Sequence, residues 1–360
     1  MAQQHINLGN QSDGKDGDTN RVAWQKTEAN FNELYTGALG TTTFKNRIIN
    51  GNFDYWQRGT SFSGGVYAAD RFFLQQTGTT VSTSQQGFAV GQAAVPNNPS
   101  YFMRCAVSSI AGAGNSCYLG QRVEGLASLA GKRVTISFYA KADAAKKIAF
   151  EATQFFGAGG SASVNAIGVT SFNLTTSWQR FYATFDVPAL TGATLGAAGD
   201  DFLQLAFWMD AGGNYSWRTN SLGQQAGTFD FAQVQLEAGE LATSFELRPQ
   251  AIEQLLCARY CYAFKATIGT GVGAGTQYSS TTAFVSLPLP SVMRAAPSMR
   301  NLGSPIRWVG AASSTSDPAL GTVNPGLVCL LFPISGGALW SSGYAASSGG
   351  PLYLVMEAEL

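Results

Sequence analysis

Between Asp210 and Arg218 the chain reads Asp-Ala-Gly-Gly-Asn-Tyr-Ser-Trp-Arg. Two aromatic rings, an amide and a guanidinium in a glycine-rich loop suit the recognition of sugars. Rings such as Tyr215 and Trp217 stack on the apolar faces of pyranoses, while Asn214 and Arg218 fix the hydroxyls. Aromatic residues in a polar loop are harder to assign to a core than those in strands. Trp308, Trp340 and Tyr344 also sit among glycines and serines. They are candidate contacts with a surface receptor, with packing between subunits as the alternative. Trp56, Phe72, Phe138, Trp178 and Trp208 lie in apolar runs and are expected in a core.

Nucleophilic catalysis finds little support. The single histidine is His5, in a polar N-terminal stretch, whereas Ser-His or Cys-His chemistry needs a histidine held by a rigid shell. A zinc site fails for the same reason. Cys257 and Cys261 supply two ligands where about four are wanted, so they are expected to pack as small apolar groups. Paired carboxylates would be the remaining route to an enzyme, because glycosidases hold two across a cleft. Asp200, Asp201, Asp210, Asp230, Glu237 and Glu240 are available, but their spacing forms no motif. The expectation is a protein that is not an enzyme.

The 360 residues are enough for two or three domains. Formal net charge is zero and only 12% of residues are charged, about half the usual share. No basic stripe argues for nucleic acid. Forty-two glycines, abundant Ser and Thr and 12% aromatics read as an all-β chain with many turns. So low a charge also suggests surface buried between subunits, with a sticky secreted monomer as the alternative. Five cysteines at irregular spacing (Cys105, Cys117, Cys257, Cys261 and Cys329) argue against a disulfide framework, with a Cys105–Cys117 bridge left open. The first 18 residues lack the apolar segment of a secretory signal, and no apolar run is long enough to span a bilayer. Synthesis in a reducing cytosol and no membrane insertion are expected.

The elements that must carry these residues follow from periodicity. Residues 1–44 read as an arm followed by a short helix to about Tyr35, capped by Thr19 or Asn20. Trp24, Phe31 and Leu34 or Tyr35 share one helical face. So short a helix needs a partner for that face: its own domain, a symmetry mate or a larger assembly. From 45 to 248, alternating runs at 134–141, 147–150, 180–187, 202–208 and 229–237 predict strands of a β-sandwich. At 249–264 the period becomes helical, with Pro249 at the start, where its missing N–H costs nothing. Residues 265–360 return to β pattern. They include a strand at 283–290, a fully apolar and hence buried strand at 327–332, and a final strand from Leu352. A Ser/Gly/Pro-rich surface loop is expected at 310–324. The predicted fold is mainly β: arm and helix, sandwich, linking helix and a C-terminal β-sandwich domain.

Four segments resemble bacteriophage tail-fibre proteins. The first is the stretch from Gly17 to Tyr35. The second is Asn46-Arg-Ile-Ile-Asn-Gly-Asn-Phe-Asp-Tyr-Trp-Gln-Arg-Gly59, followed by Tyr67-Ala-Ala-Asp-Arg-Phe72. The third is Arg248-Pro-Gln-Ala-Ile-Glu with Cys257-Ala-Arg-Tyr260, and the fourth is Met293-Arg-Ala-Ala-Pro297. The segment that begins at Asn46 is similar to the opening strand of a jelly-roll carbohydrate-binding-like module. Phe138-Tyr-Ala-Lys-Ala142, Trp178-Gln-Arg-Phe181 and Phe229–Glu237 extend that likeness across the module. In the first segment Trp24 stands where phenylalanine is commoner.

The resemblance implies a virion tail protein made in the host cytoplasm. It would attach to other tail or baseplate proteins through its N-terminus, with Trp24, Phe31, Leu34 and Tyr35 as virion or trimer contacts. It further implies a homotrimer that binds a host receptor, a surface polysaccharide or lipopolysaccharide. A purely structural tail spacer is the alternative, with a tail-associated glycan hydrolase behind it. No cofactor is expected. Related modules often hold a structural calcium between their first and last strands, and Asp54 and Asp230 match those positions.

Overall fold

The computed structural model describes residues 6–8, 16–33, 44–267, 271–277, 279–303, 305–310, 317–324, 326–335, 342–347 and 351–360. Leu34, Tyr35, Trp340 and His5 lie outside them. Among the described residues the chain is mainly β, in antiparallel sheets. No helix among them is long and apolar enough to cross a membrane.

Helix α1 (Asn20–Glu33) begins at Thr19, whose hydroxyl accepts from the Val22 amide at 3.4 Å. Trp24 and Phe31 are 72% and 54% exposed on it.

The strands that follow are β1 (Ser61–Ser63), β2 (Phe72–Thr77), β3 (Thr80–Gly87), β4 (Tyr101–Ser108), β5 (Ser116–Glu124) and β6 (Arg133–Ala142). After them come β7 (Lys146–Phe155), β8 (Val164–Leu174), β9 (Gln179–Asp186), β10 (Phe202–Ala211), the one-turn helix α2 (Ser216–Thr219) and β11 (Gly227–Ala238). One sheet has the order β1-β3-β4-β11-β6-β9 and the other β2-β5-β10-β7-β8. The chain switches sheets repeatedly, which is the connectivity of a jelly-roll sandwich. Alternate residues of each strand fill the space between the sheets, because side chains on a strand point to opposite faces. Phe138 of β6 meets Phe207 of β10 there, ring centroids 4.9 Å apart, and Phe207 meets Phe231 of β11 at 5.7 Å. Trp56, Phe72 and Phe138 lie in this core as expected.

The segment 44–60 is not the opening strand that its resemblance to a jelly-roll module implies. It is a run of turns docked along β11, with Asn50 and Phe53 both at φ near +60°. Asn50 holds the turn: its side chain accepts from the Tyr55 amide and donates to the Tyr55 and Asp70 carbonyls at 2.8–3.1 Å. Gly51 is required by contact, since a Cβ there would lie 2.1 Å from the Val234 carbonyl oxygen. The Val234 amide donates to Gly51 O beside the irregular register of β11 on β6.

Helix α3 (Gln250–Ala258) starts after Pro249 and is shorter than the predicted 249–264. Residues 259–260 form a turn, and Cys261 opens β12 (Cys261–Ala266), paired to the end of the chain. Tyr262 therefore lies on a strand, a correction to the helical reading. Helical spacing over one turn could not be told from a strand of alternating residues. The remaining strands are β13 (Gly271–Gln277), β14 (Thr282–Pro288), β15 (Ser298–Asn301), β16 (Ile306–Val309) and β17 (Ala319–Asn324). They are followed by β18 (Leu327–Pro333), β19 (Ser342–Ser347) and β20 (Leu352–Glu357). They form the sheets β12-β20-β15 and β16-β19-β13-β14-β18-β17 around a core of Val285, Trp308, Leu330, Phe332 and Leu354. Strand β17 falls inside the expected 310–324 loop. Strand β18 buries alternate residues rather than all of them, with Val328, Leu330 and Phe332 inward.

All five cysteines are free thiols. Burial raises Cys257 and Cys261 well above the usual thiol range, so both pack as neutral groups.

Candidate functional site

Strand β10 is buried on both faces. Leu205 and Phe207 point into the core, and Phe202, Gln204, Ala206 and Trp208 form the outer face of the five-stranded sheet. Register brings Tyr118 opposite Trp208 and Arg122 opposite Gln204 on β5. On β7, Glu151 lies opposite Ala206 and Phe155 opposite Phe202. Phe73 of β2 lies across Gly120, where a Cβ would sit 2.6 Å from its ring.

These side chains form one band across the sheet. The Phe155 and Phe202 rings stack at 4.8 Å. The Arg122 guanidinium lies 4.7 Å from the Phe202 ring and 4.9 Å from Phe73. Phe73 meets Tyr118, and Tyr118 meets Trp208 at 4.7 Å.

The Asp210–Arg218 loop, singled out by composition, folds over the end of this band. After β10 it makes a 3₁₀ turn at Gly213–Tyr215 and then α2, which ends at Asn220 with φ +50°. Gly212 allows the turn, since a Cβ there would meet the Gly112 and Ala113 carbonyl oxygens at 2.3 and 2.5 Å. Tyr215 covers Trp208 at 5.2 Å. Arg218 pairs with the wholly buried Glu151, its Nε donating to Oε2 at 3.1 Å and its Nη2 to Oε1. The Trp208 indole N–H donates to the same carboxylate at 3.2 Å. Burial pushes the Glu151 carboxyl up, and the Arg218 hydrogen bond opposes it. Trp217 is 63% exposed and lies 5.8 Å from the Arg218 guanidinium, and Asn214 is exposed. Of the four predicted loop residues, Tyr215 and Arg218 anchor the loop, while Trp217 and Asn214 face solvent.

The C-terminal candidates fare differently. Trp308 is fully buried against Phe332, so its assignment to a receptor contact is corrected: alternation along β16 turns it inward. Tyr344 is 45% exposed on β19. Trp340 lies outside the described residues.

Asp230 gives both carboxylate oxygens to Arg104 at 2.8 Å, and Asp54 accepts from Asn52 at 2.9 Å. Both Asp230 oxygens are thus committed to a guanidinium rather than free to bind a cation. Asp230 as placed does not fit that ion, and no cluster of three or more potential ligands exists among the described residues. The other carboxylates singled out have local tasks. Asp210 accepts from Thr79, Ser109 and the Gln225 amide. Asp201 accepts from the Leu126 amide, Asp200 from the Ala158 amide, and Glu237 from Thr243. Glu240 is an exposed ion-pair partner of Arg133 at 3.7 Å.

Sequence reasoning missed the role of the Gln57-Arg58 and Asp70-Arg71 pairs. They clamp the jelly-roll to the end of the chain. Arg58 donates to Glu357 at 2.5 Å and to Glu359 at 2.8 Å, and lies 3.5 Å from Asp70. Arg71 pairs with Glu359 and lies 3.5 Å over the Tyr260 ring. Gln57 donates to the Cys261 carbonyl and accepts from the Ala263 amide, while Tyr353 donates to Gln57 O. Two arginines a short distance apart in a motif rich in aromatics gave the only signal. A further aromatic cluster, Phe88, Phe102 and Trp178, lies on the outer face of the six-stranded sheet with Lys141 5.4 Å from the indole. Trp178 is therefore half-buried there and not in the main core.

No protein-family model and no curated protein matches the chain. Among solved structures it is similar to a CBM4 structure, 19% identical over 53% of this chain and 98% of that one, TM-score 0.29. It is also similar to the family 11 carbohydrate-binding module of the cellulosomal cellulase Lic26A-Cel5E of Clostridium thermocellum, 17% identical over 54% and 97%, TM-score 0.31. A third likeness is to the enzymatically active domain of bacteriophage CBA120 tailspike protein 4, 14% identical over 54% of this chain and 22% of that one, TM-score 0.31. At such identities and scores the likenesses say nothing about what this chain binds.

Proposed function

We propose that the chain is a bacteriophage tail-fibre protein that binds a host-surface glycan without cleaving it. The observation that carries the glycan part is Trp217, 63% exposed beside Arg218 on a loop anchored over the buried band from Phe155 to Trp208. An exposed indole ring beside a planar guanidinium matches an apolar sugar face flanked by hydroxyl edges. Exposed Trp24 and Phe31 on α1 support attachment of the N-terminal segment to the virion or to two further copies in a homotrimer. Several weak sites in a trimer would add to useful avidity on a repeating polysaccharide.

The test is an array of bacterial surface polysaccharides and lipopolysaccharides probed with the purified chain and with Trp217→Ala. Binding that the variant loses by about tenfold or more supports the reading. A blank array, or binding untouched by the variant, removes it. New reducing ends in bound polysaccharide would instead make it a hydrolase. Light scattering that gives a mass other than three chains removes the trimer.

The buried clamp at Arg58 favours a different reading, a rigid tail spacer. Protein that occupies the tail but neither adsorbs to host cells nor blocks infection would select it.

A further inference from the structure

Beneath the clamp, where the edge of the five-stranded sheet meets α3, lies a cavity of about 300 Å³. That is the lower end of the size range for small-molecule sites. Its lining is cationic. Arg47, Arg71, Arg122, Arg248 and Arg259 border it, and Glu124 is the one acidic side chain among them.

Three of these arginines are neutralised. Arg259 is bidentate with Glu124 at 2.7 and 2.9 Å, Arg248 pairs with Glu253 at 3.1 Å, and Arg71 pairs with Glu359. Arg47 is exposed and forms no ion pair with a carboxylate side chain among the described residues, whereas Arg122 donates to the Gln204 side chain and to the Leu360 main-chain oxygen. The wall thus keeps a positive excess.

A further observation points the same way. The Nε–H groups of Arg71 and Arg248 are buried and donate to nothing. Their side chains are 1% and 6% exposed. Buried donors are nearly always satisfied, and a charged one without an acceptor needs explanation. An oxyanion in the cavity would accept from such donors and balance Arg47. Guanidinium groups are the side chains best matched to carboxylate and phosphate.

We propose that this cavity is an additional ligand site, for a sugar bearing an oxyanion, carboxylate or phosphate. The oxyanion part stands on the cavity alone, whereas the sugar part rests on the glycan reading above. Acidic substituents of a surface polysaccharide would then be read at the domain junction, and ring faces at the Trp217 face.

The test is calorimetric titration of the full chain with glucuronate, glucose 6-phosphate, inorganic phosphate and glucose. The same titrations are run on Arg47→Ala, which removes an exposed side chain and leaves the fold intact. Expected is binding of at least one acidic sugar, weakened about tenfold in the variant and falling with added salt, with inorganic phosphate weaker and glucose silent. Which acidic sugar binds tells carboxylate from phosphate. No binding of any acidic ligand overturns the proposal, as does equal binding by Arg47→Ala. Inorganic phosphate binding as tightly as both acidic sugars overturns the sugar part and leaves a simple anion site. Trp217→Ala run beside them separates the two readings, because failure of the glycan face leaves Arg47-dependent binding unchanged.

Discussion

Arg58 donates through Nη2 to Oε1 of Glu359 at 2.8 Å, across 301 residues of chain. Both side chains are largely buried, 1% and 9% exposed. Within the same site Arg58 reaches Glu357 and Asp70. A charge taken out of water needs such partners, and removing one member strands the others. Arg58→Ala is therefore expected to cost about 3–5 kcal/mol. Because the site joins the jelly-roll sheets to the sheets that follow α3, denaturant unfolding should split into two transitions. A single transition at an unchanged midpoint would show that the clamp contributes nothing.

Asp70 gives the junction a pH dependence. Burial pushes its carboxyl up to about 6, with Arg58 and two hydrogen bonds from Gln57 pulling it back. The native state therefore holds a proton that the unfolded chain releases near pH 4. Stability contributed by this group falls as pH rises from about 4 to about 6, then levels off. The size is on the order of 3 kcal/mol. Glu124 works in the opposite sense at lower pH: burial raises its carboxyl, but the Arg259 and Tyr260 hydrogen bonds hold it below the usual range. Comparing Asp70→Asn with the parent cancels that background. The stability difference between the two should shift in the variant's favour by this amount across pH 4–6. A difference flat in pH would refute the assignment.

Two tryptophans nine residues apart should behave in opposite ways. Trp208 is 1% exposed, packed by Tyr118 and Tyr215 and bonded to Glu151. Its replacement by alanine should cost about 3–5 kcal/mol in thermal or chemical unfolding. Trp217→Ala, at 63% exposure, should stay within about 0.5 kcal/mol of the parent while weakening glycan binding. Equal destabilisation by both would mean that Trp217 is part of the packing.

At Gly51 the limit is a single atom. A Cβ would lie 2.1 Å from the Val234 carbonyl oxygen, which belongs to backbone and cannot turn aside. Gly51→Ala should displace the 44–60 segment from β11 and cost about 3 kcal/mol or more, judged from the worst overpacked substitutions. Circular dichroism of the sandwich should remain β, with a lower melting temperature. A variant as stable as the parent would place the segment off β11.

Much of the architecture was legible because it depends on local pattern. Alternation in 134–141, 180–187 and 229–237 marks strands whichever way the chain folds, since the two-residue period is a property of the extended backbone. The glycine-rich loop at Asp210–Arg218 was recognisable from its rings and its turn formers. A turn at Asn50 was legible as well, because Asn tolerates positive φ. What sequence patterns could not decide was which way a side chain faces. Trp308 and Tyr344 have similar neighbours in sequence, yet the register of β16 and β19 buries one and exposes the other. Nor could they pair Arg58 with Glu357 and Glu359, or gather Arg47, Arg71, Arg122, Arg248 and Arg259 around one cavity. Those meetings join residues far apart in the chain, 301 positions for Arg58 and Glu359. Only the packing of the last strands against the first loops brings them together.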